Sequence, residues 1–342
     1  MQWDTLAILW FLLLGFLLTG YAILDGFDLG VGGLHLLARG DQERRIFLNA
    51  IGPVWDGNEV WLITGGGALF AAFPNVYATV FSGFYEAFIL LLAAIIFRAV
   101  AIEFRSQRPG QGWRATWDVA FSLSSLLSAL LIGVALGNIV WGVPLNEYHD
   151  FQGNLLTLLH PYTLFVGVMA IVLFIMHGNL YLILKTEGPL QEKLRRWARY
   201  TIPAYLICFI LLHVFTVSSC PQIQAALRQR WWILVPLLVL SLLFTLNIWR
   251  ETSKARAGWA FVSSCLSILT LMLLVGAAIY PNFVFSTPQM ANSLNIYNGA
   301  SSDKTLRFML FVALIGVPLV LTYTIGIYYV FRGKVKLTEE SY

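Results

Sequence analysis

Long apolar runs separated by short polar breaks fill almost the whole chain. Crossing a bilayer core about 30 Å thick takes about 20 helical residues. On that ruler the runs at 6–36, 76–104, 118–141, 160–184, 200–220, 231–249, 258–281 and 306–331 each predict one span. The stretch 47–73 is mixed: Pro53, Asp56, Asn58 and Glu59 interrupt its first half, whereas Val60 to Phe73 is continuously apolar or small. It predicts a ninth crossing, with a half-buried re-entrant helix as the alternative.

Charge placement separates the two counts, because cytoplasmic loops are enriched in Lys and Arg. With nine spans and the N-terminus outside, all but four of the 22 Lys and Arg residues fall on inner segments; the outer four are Arg228, Arg230, Lys304 and Arg307. With eight spans this segregation collapses after the first loop. The expected fold is therefore an all-α integral membrane protein with nine transmembrane helices, the N-terminus outside and the C-terminus cytoplasmic. Short loops make sequential helices antiparallel neighbours. The chain, 1–342, is thus expected to be a single membrane domain, with a first four-helix bundle over 1–145 and a second bundle plus one peripheral helix over 155–342. The basic segment 185–199 would be the seam. No period of 20 to 50 residues recurs, and no inverted repeat of the kind that builds secondary transporters is visible.

Composition narrows the class further. Only 12% of residues are charged and 58% are hydrophobic, against about 25% charged in soluble domains, which excludes a soluble enzyme. Twelve Trp residues suit many bilayer interfaces. The net charge of +4 is spread over short loops, which leaves no footprint for nucleic acid. The first apolar run lacks a preceding basic region and exceeds signal-peptide length, so it is expected to stay as a span. Cys208, Cys220 and Cys265 form no CxxC or CxxCH pattern and read as small buried hydrophobes.

Ionisable residues inside spans are costly and mark function by default. The N-terminal third concentrates them. Asp25 and Asp28 lie three apart in DGFDLGVGG, Asp56 and Glu59 repeat that spacing, and Glu86 follows in the next span. Residues three apart share a helical face. At about 1.5 Å per residue, Asp25 lies about 28 Å from Leu6, and Asp56 about 14 Å from Phe47 within a continuous helix, placing the acids in the cytoplasmic half. Carboxyls removed from water can exchange protons near neutral pH, so the row reads as a proton relay. Two alternatives compete with it. Asp25, Asp28, Asp56 and Glu59 could form the cation site of a secondary transporter or ion channel. Asp25 and Asp28 could instead pair with Arg44 and Arg45 at the membrane edge.

The glycines Gly26, Gly30, Gly32 and Gly33, and Gly65, Gly66 and Gly67, are expected to let helices approach closely. No Gly-Lys-Ser/Thr follows either cluster, so a phosphate loop is excluded. Among the histidines (His35, His149, His160, His177 and His213), only His177 and His213 fall within spans at a depth suited to haem ligation. Neither has a flanking motif, and a buried His more often bonds a backbone carbonyl. HExxH and Ser-His-Asp patterns are absent, and no metal site is expected.

At these same residues the chain resembles subunit II of the bacterial cytochrome bd quinol oxidases. The resemblance rests on LDGFDLGVG (24–32), ERRIFLNAIGPVWDGNEVWLITGGGALFAAFP (43–74), YATVFSGFY (77–85) and FRAVAIEFR (97–105). It continues through WRATWD (113–118), GVALGN (133–138), GWAFVSS (258–264) and NSLNIYNGASSDKTL (292–306).

The resemblance implies a heterodimer in the bacterial cytoplasmic (inner) membrane that oxidises quinol and reduces O2 to water. Haems b and d and the quinol-oxidising loop would belong to subunit I, with no haem in this chain. Subunit II would stabilise its partner and contribute a cytoplasmic proton route and an apolar O2 route. Asp56 matches the family's acid in WDGN and is the first choice for proton delivery, with Asp25 and Asp28 as the entrance and Glu59 and Glu86 as further carboxylates. Trp61 in EVWL is the candidate for the O2 path, with simple packing as the equal alternative. Some members hold a structural quinone in this subunit, and some complexes add a small single-helix subunit. The loop 218–230 is brief, which weakens any outer contact carried over from longer relatives.

Overall fold

The structure is a computed structural model that describes residues 3–337. It is helical almost throughout. A backbone in hydrocarbon must satisfy its own N–H and C=O groups, and a helix does so within one segment. In order, the helices are α1 Trp3–Leu34, α2 Gly40–Ile51, α3 Trp55–Ala72, α4 Pro74–Gly83, α5 Tyr85–Phe104, α6 Gln111–Trp141, the single turn α7 Leu155–Leu158, α8 Pro161–Lys185, α9 Gly188–Ser219, α10 Pro221–Ser253, α11 Ala257–Ile279 and α12 Asp303–Val330. Two short strands, β1 Asn282–Val284 and β2 Leu294–Asn295, pair antiparallel in the segment before α12.

Eight of these helices are long and apolar enough to cross a membrane: α1, α5, α6, α8, α9, α10, α11 and α12. Three boundaries differ from the expectation. The stretch 47–73 is not one helix: α2 ends at Ile51, and Gly52 and Pro53 lie in a turn before α3 begins at Trp55. The run 76–104 is broken too. Pro74, whose missing N–H suits a first helical position, opens α4, and the non-helical Phe84 separates α4 from α5. Residues 218–230 form no loop. Extended Cys220 alone joins α9 to α10, which starts on Pro221 and kinks at Arg230.

Contacts sort the helix ends into two groups. At the basic end Lys193 pairs with Glu43 at 2.6 Å, and the Val335 N–H donates to the Lys185 carbonyl at 2.9 Å. At the opposite end the Trp3 indole donates to Ser301 (3.2 Å), the Trp10 indole to Leu306 (3.1 Å) and the Ser301 N–H to Ala72 (2.8 Å). Helix α3 therefore runs from the basic end, beside α2, to the opposite end. Helix α1 packs on α3, α6 and α8; α8 packs on α1, α6, α9 and α11; α10 packs along α11. Helix α12 buries only Leu306 and rests on α1 and α3.

Two of the glycine-bearing crossings are as close as backbones allow. A Cβ on Gly178 would lie 2.6 Å from the Gly30 carbonyl carbon and the Val31 nitrogen, and one on Gly133 would lie 2.7 Å from the Gly167 Cα. Gly178→Ala must push α1 and α8 apart, an overpacking cost of about 1–3 kcal/mol. The variant is expected to lower the melting temperature of the purified protein clearly. Gly276→Ala, where a Cβ meets nothing within 4 Å, is the neutral control. Gly66 and Gly67 also meet nothing, so the expected close approach does not occur there within this chain.

Candidate functional site

The acidic residues of α1 and α3 meet a guanidinium that charge placement alone counts among the inner-side cations. Arg98, in the last third of α5, binds Asp25 of α1 with both terminal nitrogens, Nη1 to Oδ2 at 2.9 Å and Nη2 to Oδ1 at 2.5 Å. Both side chains are 1% exposed. Glu59 of α3 lies 3.5 Å from the same Nη2. A two-pronged Arg–carboxylate pair fixes direction as well as charge, so this contact ties α1 to α5 and draws α3 towards both.

Asp28, one helical turn beyond Asp25, is held differently. The Asn58 amide donates to Asp28 Oδ2 at 2.7 Å and to the Leu24 carbonyl at 3.2 Å, while its oxygen accepts from the Tyr328 hydroxyl at 2.9 Å. Asp28 Oδ1, Glu59 Oε1 and the Tyr21 hydroxyl are buried and have no hydrogen-bond partner among the described residues. Buried polar atoms of this kind are where water bridges form, so the cluster has the donors and acceptors of a proton path.

Asp56 occupies the first turn of α3. It is not in mid-helix, as a continuous 47–73 helix would have placed it, because the turn at Gly52 and Pro53 restarts the helix just before it. The N-terminal end of a helix favours a carboxylate. Asp56 is exposed and lies on one stripe with Val60, Ile63, Gly67 and Phe70, all exposed. Glu59 sits at the edge of that stripe, between Asp56 and Arg98. Glu86 is not part of the gathering: it is exposed in the first turn of α5, twelve residues and about 18 Å of helix from Arg98. Trp61 is buried against α1, its ring edge-on to Phe16 at 5.8 Å and under Gly20.

The expected pairing of Asp25 and Asp28 with Arg44 and Arg45 does not occur. Arg44 donates to Asp118 Oδ2 at 2.7 Å, and Asp118 Oδ1 is 2.6 Å from both Arg105 Nε and His35 Nε2. Asp41 joins Arg105 (2.8 Å) and Arg114 (3.0 Å) to this second network. It locks α1, α2, α5 and α6 together at the basic end. Neither the network nor Arg98 was recognised in the sequence, although Arg98 carried a signal: it lies six residues inside an apolar run, where a lone cation requires a carboxylate. On α2, burial pushes the Glu43 carboxyl up, but hydrogen bonds from the Lys193 ammonium (2.6 Å) and the Arg39 N–H (2.5 Å) outweigh it and hold Glu43 below the usual carboxylate range.

Both ring nitrogens of His177 are engaged, Nδ1 with Ser264 at 2.7 Å and Nε2 with the Ile23 carbonyl at 2.9 Å. Neither is left for haem iron. His213 has Nδ1 on the Phe209 carbonyl at 2.7 Å. Among the described residues no group of three or more His, Cys, Asp or Glu is arranged to hold a metal ion. The cation-site reading also fails at Asp25, whose oxygens Arg98 occupies. Beside the acid cluster, an almost wholly apolar cavity of about 340 Å³ extends from Leu18 and Tyr21 past Val166 to His213 and Leu238.

Residues 6–331 match the family model described as cytochrome bd terminal oxidase subunit II. The chain is 38% identical to cytochrome bd-I ubiquinol oxidase subunit 2 of Escherichia coli K12, over 98% of this chain and 96% of that one. It is 33% identical to cytochrome bd ubiquinol oxidase subunit 2 of Bacillus subtilis 168, over 97% of each. Its fold is similar to a chain of the bd oxidase from Geobacillus thermodenitrificans, with a TM-score of 0.78 and 18% identity over 96% of this chain and 98% of that one.

Proposed function

This chain belongs to the cytochrome bd terminal oxidase subunit II family, and from that premise we propose that its α3 face meets subunit I and passes cytoplasmic protons to it. The chain is subunit II of a bd-type terminal oxidase, an oxidoreductase complex, and a multi-pass membrane protein. The finer reading assigns α3 as a ninth crossing, the basic end to the cytoplasm and the N-terminus to the outer face of the bacterial inner membrane. The two halves, 1–145 and 155–342, then form four-helix bundles with α12 peripheral.

One observation carries the reading. The outward stripe of α3 starts at a carboxylate, Asp56, and runs through the exposed Val60 and Ile63 to bare Gly67 and Phe70. Small residues on a membrane helix are where a second helix approaches, and Asp56 stands at the basic-end start of that same stripe. Subunit I is the partner that covers it. Protons enter at Asp56, pass to Glu59 one turn on, and use the unpartnered oxygens of Glu59 and Asp28 as acceptors. Arg98 holds Asp25 in place and offsets one negative charge of the cluster. Haems b and d of subunit I would supply electron transfer and oxygen reduction there. Quinol oxidised towards the outer face releases its protons outside, while protons for water formation come from inside, which separates charge without a pump.

The apolar cavity fits the tail of a quinone, or O2, better than any polar ligand, and Tyr21, Tyr162, His213 and Thr216 bring the polar groups on its wall that a quinone ring could meet. Trp61, packed against α1, borders α3's inner face and keeps its place as the O2-path candidate. A small single-helix subunit would find α12 as an open surface.

Cysteine labelling tests the docking face. In the assembled complex Ile63→Cys on α3 is expected to resist a lipid-soluble maleimide, while Leu243→Cys on α10, comparably exposed in this chain, is expected to react readily. Equal reaction at both positions overturns the assignment.

A further inference from the structure

The acid cluster and the apolar cavity meet at one side chain. On the cluster side, Glu59 Oε1, Asp28 Oδ1 and Arg98 Nε are buried polar atoms without a partner among the described residues, the kind of group that holds ordered water. Four residues along α1 from Asp25, and so on the same helical face, Tyr21 is 3% exposed and packs with Leu17 and Trp61 in a separate apolar layer. The Trp61 ring lies directly on Gly20, which closes the seam between α1 and α3 at that level. Tyr21 also forms part of the cavity wall. The cavity runs along α8 from Phe174 to Tyr162, about 18 Å of helix. Its far end, at Tyr162, Thr216 and Ala278, lies within about one turn of where α8, α9 and α11 reach the end opposite the basic one. Resting on the proton-delivery reading above, we propose that the Tyr21 ring is the seal between a wet proton path and a dry passage towards the outer face, and so fixes the side from which subunit II takes protons.

Hydration separates the two spaces. A buried water needs about two to four polar partners, and an apolar cavity that offers none stays empty. The cluster has such partners, whereas the cavity wall next to Tyr21, formed by Leu18, Ala22, Leu173 and Phe174, has only hydrocarbon side chains. The Tyr21 hydroxyl is buried and unpartnered among the described residues, and a single group is too few to carry water onward. An isolated charge does not enter such a space, so a proton that has reached Glu59 or Asp28 stops at the phenol. Polar groups return only at the far end, where the Tyr162 hydroxyl and Thr216 Oγ1 pair at 2.9 Å and His213 lies one turn from Thr216. An apolar occupant of the cavity, a quinone tail or O2, leaves it equally dry. Without the ring the two spaces merge, and water held by the cluster advances into the cavity. Protons released outside by quinol oxidation then return through subunit II, and the separation of charge is lost.

The test uses the assembled oxidase in vesicles, at rest, with a potassium gradient and valinomycin imposing a potential and a pH dye inside reporting proton entry. Tyr21→Ala is expected to raise the passive proton conductance at least about tenfold, which takes only about 1.4 kcal/mol off the barrier. Tyr21→Phe keeps the ring and should stay at the wild-type conductance. During turnover, Tyr21→Ala should build less membrane potential per O2 consumed. Adding Asp56→Asn to Tyr21→Ala should bring the leak back down, because the leak runs through the acid path. Tyr21→Val, which leaves a smaller hole, carries the same expectation if Tyr21→Ala does not assemble. Wild-type conductance in whichever of the two assembles overturns the inference, as does a leak of equal size in Tyr21→Phe. Loss of assembly in both also overturns it, in favour of simple packing. Asp56→Asn separates this inference from the reading beneath it. If Asp56→Asn slows turnover yet leaves the leak, the leak lies outside the acid path and the seal fails; if it changes neither, the entry reading fails at Asp56 and the seal stands.

Discussion

Arg98→Leu is expected to remove assembled oxidase from the membrane. The change leaves the Asp25 carboxylate, 1% exposed, without its two-pronged partner, and it strips Glu59 of the cation 3.5 Å away. Breaking a buried pair from one side costs about 3–5 kcal/mol, because the remaining charge has neither water nor a counter-ion. Against a total stability of about 5–15 kcal/mol, that is enough to deplete the folded chain. The pair as a whole is a weaker source of stability than this figure suggests, since its own desolvation offsets much of the attraction. Removing both charges should therefore be milder than removing one: Arg98→Leu combined with Asp25→Leu is expected to recover part of the assembly, held back by the still unpaired Glu59. Haem absorbance and subunit ratio in solubilised membranes read the outcome. Wild-type abundance of the single variant, or a double variant worse than the single one, contradicts the account.

Asp56→Asn should do the reverse, leaving assembly intact while reducing turnover. The side chain is exposed in this chain, and Asn has nearly the same volume, so folding has little to lose. What it loses is the ability to take up and release a proton. A positioned proton-transfer group contributes about 10²–10⁴ in rate, and a fall of about a hundredfold in quinol:O2 turnover per haem is expected. Asp56→Glu, which restores an ionisable group on a longer arm, should recover most of it. A loss of haem content that parallels the loss of turnover would place Asp56 among the assembly contacts instead.

The reach of the sequence can be judged residue by residue. The eight long apolar helices were legible because hydrocarbon thickness sets a length that composition displays directly. The cluster of Asp25, Asp28 and Glu59 was legible because acids inside apolar runs are conspicuous. What was lost was pairing across distance. Arg98 was counted with the inner-side charges because charge counting treats every Arg near a span end alike. Asp118 was passed over because its partners, His35, Arg44 and Arg105, come from the turn after α1, from α2 and from the turn after α5, separated from it by up to 83 residues in sequence. The depth of Asp56 was misjudged because Pro53 was weighed as an interruption of a helix and not as its boundary. Gly66 and Gly67 were assigned to close helix packing, but a Cβ on either meets nothing within 4 Å, and this is the opening that the proposed docking of subunit I would use.

The most direct measurement is the time course of proton uptake when the fully reduced, vesicle-reconstituted complex is mixed with O2 and a pH dye reports the cytoplasmic side. Protons enter at Asp56 in this account, so the wild-type dye signal should track oxygen reduction, and in Asp56→Asn the uptake phase should lag by about a hundredfold while the initial reaction with O2 keeps its rate. An uptake trace in Asp56→Asn that overlays the wild-type one would contradict it.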